Sequence, residues 1–137
     1  MSGIDAHCHL THMENPQDVV DQARDKLSAV ISSTAEIKHA SQSLELSENN
    51  KDFVFTSLGL HPENCLEYSR REIDEYIEFI RRKKDNIVAL GEIGLDYNSV
   101  REKEEQQKTK EMFIELIDLA NELKLPVQIH SRNGLDN

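Results

Sequence analysis

Apolar positions recur along this chain with two alternating periods. Short runs of β-branched and aliphatic residues, the pattern of buried strands, are separated by longer stretches with apolar residues three and four apart. Ile4 to Cys8 predicts a first strand. A helix follows, with Asn15 as its cap, Pro16 in its first turn, and Val19, Val20, Ala23 and Leu27 on its apolar face. Ala29-Val30-Ile31 predicts a second strand, after which Ser33 or Thr34 caps a helix carrying Ile37, Ala40 and Leu44. Phe53 to Leu58 predicts a third strand, and Ile73, Tyr76, Ile77 and Ile80 stripe the following helix. Ile87 to Leu90 predicts a fourth strand, with a loop over Gly91 to Tyr97. A long helix from about Arg101 to Leu123 turns Met112, Leu116, Leu119 and Leu123 inward. Pro126 to His130 predicts a fifth strand, and Ser131 to Asn137 carries no periodicity.

Five alternations of apolar strand and amphipathic helix imply an α/β fold, a parallel sheet covered by helices. With 137 residues and neither repeat nor linker, residues 1–137 read as a single domain. No apolar run approaches the ~20 residues needed to cross a bilayer, and Met1 to Leu10 lacks the pattern of a secretory signal. Two cysteines, Cys8 and Cys65, are too few for a disulfide framework, so a cytoplasmic setting is expected. The net charge of −10 disfavours a dedicated DNA-binding module, whose affinity would come from neutralising phosphates with Lys and Arg. It counts less against an enzyme that meets phosphate through bound cations, because these reverse the local field. Arg70-Arg71 and the Arg81-Arg82-Lys83-Lys84 run are expected on solvated helix surface.

The candidate chemistry sits at the strand ends. His7 and His9 are two residues apart, so they share a face of the first strand. His61 follows the third strand, Glu92 the fourth, and His130 ends the fifth. In a parallel α/β arrangement these ends fall on one edge of the sheet. Three or more imidazoles and a carboxylate converging there suit Zn²⁺, Mn²⁺ or Fe²⁺. Each residue alone has an ordinary alternative, as a hydrogen-bonded core histidine or a turn former; it is the joint placement that favours metal. His12 and His39 read as surface or structural residues. Cys8 points away from its histidine neighbours as a small apolar residue, and Cys65 has no assigned role.

Asp5-Ala6-His7-Cys8-His9-Leu10, Gly59-Leu60-His61-Pro62-Glu63, Gly91-Glu92-Ile93-Gly94-Leu95-Asp96-Tyr97 and Ile129-His130-Ser131-Arg132 resemble, in order, the successive signatures of the TatD family. These are metal-dependent hydrolases of the wider amidohydrolase type, many described as deoxyribonucleases. The resemblance implies a TIM-like (β/α) barrel of which about the first five β/α units are present. It implies two divalent ions, Zn²⁺, Mg²⁺ or Mn²⁺, with His7 and His9 on one, Glu92 bridging and His130 on the other. His61 and Arg132 would lie near the substrate phosphate, so the catalytic set is Glu92, His61 and Arg132. Thr11 stands where the family often has aspartate. A further histidine and an aspartate, which the family draws from after strands six and eight, have no counterpart up to residue 137. A whole barrel typically needs ~250 residues.

The expected activity is therefore divalent-metal-dependent hydrolysis of DNA phosphodiester bonds. One alternative is hydrolysis of a small-molecule ester, amide or phosphate by the same centre. The other is a catalytically incomplete barrel portion that needs the remaining strands or a partner chain. The expected partner is DNA or another phosphate-containing substrate, with no membrane; the sequence does not set the oligomeric state.

Overall fold

A computed structural model describes residues 3–134. The elements are β1 (Gly3–Cys8), α1 (Pro16–Arg24), β2 (Leu27–Ser33), α2 (Ala40–Asn49), β3 (Val54–Leu58), α3 (Pro62–Cys65), α4 (Arg70–Arg82), β4 (Ala89–Asp96), α5 (Lys103–Leu123) and β5 (Val127–Arg132). Short 3-10 turns lie at Leu10–His12, Ile37–His39 and Lys84–Asn86. All strand pairs are parallel and the spatial order is the chain order, β1-β2-β3-β4-β5. With right-handed crossovers, a sheet that always grows in one direction keeps its helices on one side. Such a sheet curls as part of a (β/α) barrel. The curl brings the first and last strands within side-chain reach. Gln128 on β5 donates from Nε2 to the Ala6 carbonyl at 2.5 Å and accepts from Ser33 Oγ at 2.5 Å.

The core sits between the sheet and the helices that cover it. Leu58, Leu60, Ile80, Leu90, Ile93 and Leu116 are its largest fully buried apolar side chains. A smaller cluster under α1 joins Leu10, Val20, Val30, Phe53 and Val54. On α4, Ser69 and Glu72 form a reciprocal capping box, and Ile73, Tyr76, Ile77 and Ile80 are buried as the spacing predicts. Burying one such side chain stabilises the fold by roughly 1.5–3 kcal/mol. Arg70 pairs with both carboxylate oxygens of Glu115, and Arg81 with both of Glu122, tying α4 to α5. β4 is almost wholly buried, whereas the edges are open: Ile4 is 64% and Ile129 58% exposed. No helix among the described residues is long and apolar enough to cross a membrane.

Several local expectations change. Gly91 to Asp96 makes up all but the first two residues of β4 and is not a loop. Gly59, Gly91 and Gly94 are what allow it: a Cβ at Gly59 would overlap the Gly91–Glu92 backbone, and one at Gly94 would overlap the His130 carbonyl. Leu27 belongs to β2, because α1 stops at Arg24. Asn15 sits at the N-terminus of α1 without a side-chain cap. Ser33 and Thr34 cap no helix; both are buried, with Thr34 Oγ1 bonded to the Ser57 carbonyl and Ser33 facing β5. Phe53 precedes β3, Cys65 is buried in α3, and Ser131-Arg132 extend β5. Residues 135–137 of the expected irregular tail lie outside the described residues.

Candidate metal centre

Parallel strands direct their C-terminal ends to one edge, and the candidate residues meet there. His7 lies in β1 and His9 just after it, their rings edge to face with centroids 4.9 Å apart. Glu92 is inside β4, and its two carboxylate oxygens serve different neighbours. Oε2 lies 3.5 Å from His7 Nε2 and 3.3 Å from His9 Nε2, while Oε1 lies 3.1 Å from His130 Nδ1. His61 caps α3 and packs its ring against His130 at 4.3 Å. Two ligand groups result, His7–His9–Glu92 and His61–Glu92–His130, each with its ligand atoms within 4.8 Å of one another. Glu92 is common to both.

Hydrogen bonds around the rings fix which nitrogen of each carries a proton. His9 Nδ1 lies 2.8 Å from the Ser33 carbonyl, which can only accept, so Nδ1 donates and Nε2 presents its lone pair. His7 reaches the same state by another route. Ser33 Oγ gives its one proton to Gln128, so it accepts from His7 Nδ1 at 3.3 Å. His61 has the opposite arrangement: Nδ1 accepts from the Glu63 N–H at 3.3 Å, which leaves Nε2 as a donor. The first two rings thus present a lone pair at Nε2, whereas His61 presents an N–H there.

Electrostatics follow the same contacts. When His9 takes up a second proton its Nε2–H donates to Glu92; that bond outweighs burial and, with His7 and His61 nearby, pushes the Glu92 carboxyl down to about 2. The Glu92 bond in turn raises His9. Burial, with His130 beside it, lowers His61.

Behind His130 stands Asp96, which lies within the Gly91–Tyr97 motif and has no role assigned from the sequence. It is 1% exposed; its Oδ2 lies 3.0 Å from His130 Nε2 and its Oδ1 accepts from the N–H groups of Asn98 and Ser99. Burial acts upward on its carboxyl, but Ser99, His130 and Arg132 together hold it below the ordinary range. Its spacing of four from Glu92 is the signal: once Glu92 lies on a strand, Asp96 shares its face. Arg132, two residues past His130 on β5, has its guanidinium 3.7 Å from Asp96 and its side chain 56% exposed.

Away from these residues, Cys8 donates from Sγ to the Ile31 carbonyl and packs against the smaller core cluster, as its alternation predicts. Thr11 is buried. His12, which is exposed, and His39, which is half-buried, meet each other and Glu36. A cleft lies at the opposite edge of the strands, lined by Leu44, Lys51, Val54, Lys83 and Val88. None of the candidate residues reaches it.

Comparison with known proteins points the same way. The family model described as TatD related DNase matches residues 4–137. The chain is 33% identical over 145 residues to a putative deoxyribonuclease tatdn3 of Danio rerio, covering 96% of this chain and 53% of that protein. It is 30% identical over 143 residues to deoxyribonuclease TATDN3 of Homo sapiens, covering 96% and 52%. Among solved structures it superposes on the TatD homologue YJJV of Escherichia coli with a TM-score of 0.81 at 27% identity, covering 96% of this chain and 51% of the other. The chain spans about half the length of the curated relatives it matches.

Proposed function

The chain belongs to the TatD-related DNase family, and from that premise we propose that it carries the greater part of a divalent-metal centre that hydrolyses DNA phosphodiester bonds. The observation that carries this reading is the division of Glu92, one carboxylate oxygen toward His7 and His9 and the other toward His130. A carboxylate so divided fits two cations better than one, and the Nε2 lone pairs of His7 and His9 fit the first of them. When bound, such ions polarise a phosphate oxygen and make water a competent nucleophile near neutral pH.

The chain's own residues supply the remaining tasks. His7 and His9 present Nε2 because Ser33 occupies both Nδ1 atoms. His130 offers Nδ1 on the Glu92 side while Asp96 takes the proton on Nε2. His61, with Nε2–H free to donate, and Arg132, with its planar fork, are suited to the substrate phosphate. Zn²⁺, Mg²⁺ and Mn²⁺ are all compatible with this nitrogen and oxygen set.

The test is Glu92→Ala, measured for DNA cleavage with added metal and for bound metal. We expect cleavage to be lost and metal content to fall with far-UV circular dichroism unchanged; undiminished cleavage would sink the assignment.

A second reading keeps the centre and changes the substrate to a small ester, amide or phosphate. The net charge of −10 favours it, and a substrate panel at fixed metal concentration separates the two. A third is a portion that turns over only with further strands or a partner chain, favoured by the open edges at Ile4 and Ile129. Activity of the 137-residue chain alone against DNA, with its intact mass recorded, decides that question.

A further inference from the structure

Beside the centre lies a second set of ligand-type side chains from two different loops. His12 ends the turn after β1, Glu36 follows β2, and His39 closes the next turn. Their ligand atoms all lie within 4.8 Å of one another. His12 and His39 meet edge to face at 4.9 Å, and the other side of His12 stacks on His9 at 5.2 Å.

His39 Nδ1 is buried and, among the described residues, has no hydrogen-bond partner. A buried polar atom left in that state costs about 1–3 kcal/mol. Its nearest carboxylate oxygen, Glu36 Oε1, is 3.9 Å away, too far for a hydrogen bond. Two ligands of one tetrahedral cation, with bonds of about 2.0–2.2 Å, stand roughly 3.3–3.6 Å apart. The pair therefore sits nearer the spacing of a shared cation than that of a direct bond. The other Glu36 oxygen is held by Lys38 at 2.5 Å, on an exposed side chain, which leaves Oε1 available.

We propose that His12, Glu36 and His39 form a second metal site, distinct from the His7–His9–Glu92–His130 centre, that takes one divalent transition-metal ion of the Zn²⁺ class. Two imidazoles and one carboxylate select Zn²⁺, Co²⁺ or Ni²⁺ over Mg²⁺ and Ca²⁺, which favour oxygen ligands. Three protein ligands leave a fourth position for water or a ligand group. An ion here ties the loop after β1 to the loop after β2 and steadies His12 against His9. The proposal stands whether or not the neighbouring centre cleaves DNA.

The test is Co²⁺ titration of the metal-free chain, read by visible absorption and by equilibrium dialysis. Glu92→Ala, which disables the first centre, should retain one Co²⁺ equivalent and its absorption band. His12→Gln, at an exposed position, and Glu36→Gln should each weaken that equivalent by more than about 10–100-fold, the loss seen when a ligand merely loses its supporting hydrogen bond. Parent-like stoichiometry and affinity in His12→Gln and Glu36→Gln would overturn the proposal. So would complete loss of Co²⁺ binding in Glu92→Ala.

Discussion

Asp96 holds the edge of His130 that faces away from Glu92: Oδ2 and Nε2 are 3.0 Å apart, on a carboxyl that is 1% exposed. The ring is thereby gripped at both nitrogens, by Glu92 in front and Asp96 behind. A carboxylate in that position fixes the ring's orientation and makes its other nitrogen a better donor of electrons to a cation. Asp96 is in this sense a positioning residue, acting through His130.

Asp96→Asn keeps the shape and removes the charge. Metal affinity should fall about 10–100-fold, seen by calorimetric titration, with KM for a DNA substrate changing less than kcat. An affinity equal to the parent's would mean that Asp96 serves only the turn at Asn98 and Ser99.

Without metal, the pH profile of stability should be shaped by Glu92 and His9. The Glu92 carboxyl drops from its ordinary 4.5 to about 2, so its contribution is present above about 4.5 and is lost as pH falls toward 2. His9 is raised above 6.5, so its contribution is present below that value and is lost as pH rises through the raised one. Urea midpoints of the metal-free chain should therefore fall on both sides of a window from about 4.5 to 6.5. In Glu92→Gln both slopes should flatten. Parallel profiles for the two proteins would refute the coupling.

Gly94→Ala should be among the most damaging single-methyl additions. Its φ of 151° is a conformation that side chains rarely adopt, and the new Cβ would run into the His130 carbonyl on β5. A loss of about 3 kcal/mol or more is expected. Urea unfolding measures it, and a loss under about 1 kcal/mol would show that β4 and β5 part easily.

Arg70→Ala should cost far less. The Arg70–Glu115 pair is bidentate but exposed, so about 0.5–1 kcal/mol is expected, shrinking at high salt. Unfolding at two ionic strengths checks both the size and the salt dependence.

The succession of strands and helices and the position of five candidate residues at one edge are legible because buried parallel strands write apolar runs and helices write stripes three and four apart. β4 was not fully legible. Gly91 and Gly94 carry the local signature of a loop, and only the close backbones of β3 and β5 make them strand residues. Ser33 carries the local signature of a cap for the same kind of reason, since its contacts to His7 and Gln128 are remote in sequence. Asp96 was hidden by the misread loop: without strand periodicity, nothing links it to Glu92. His12 and His39 approach through two loops, and loop paths leave no period.

Gln128 reaches the Ala6 carbonyl across 122 positions of chain, and Ser33 reaches Gln128 across 95. Because Ser33 hands its proton to Gln128, it is the arrival of β5 that commits His7 to the tautomer with a free Nε2. Contacts of such separation close large loops, which costs chain entropy and slows folding. The tautomer of His7 therefore depends on β5: without Gln128 in place either nitrogen can carry the proton, and with it only Nδ1 does.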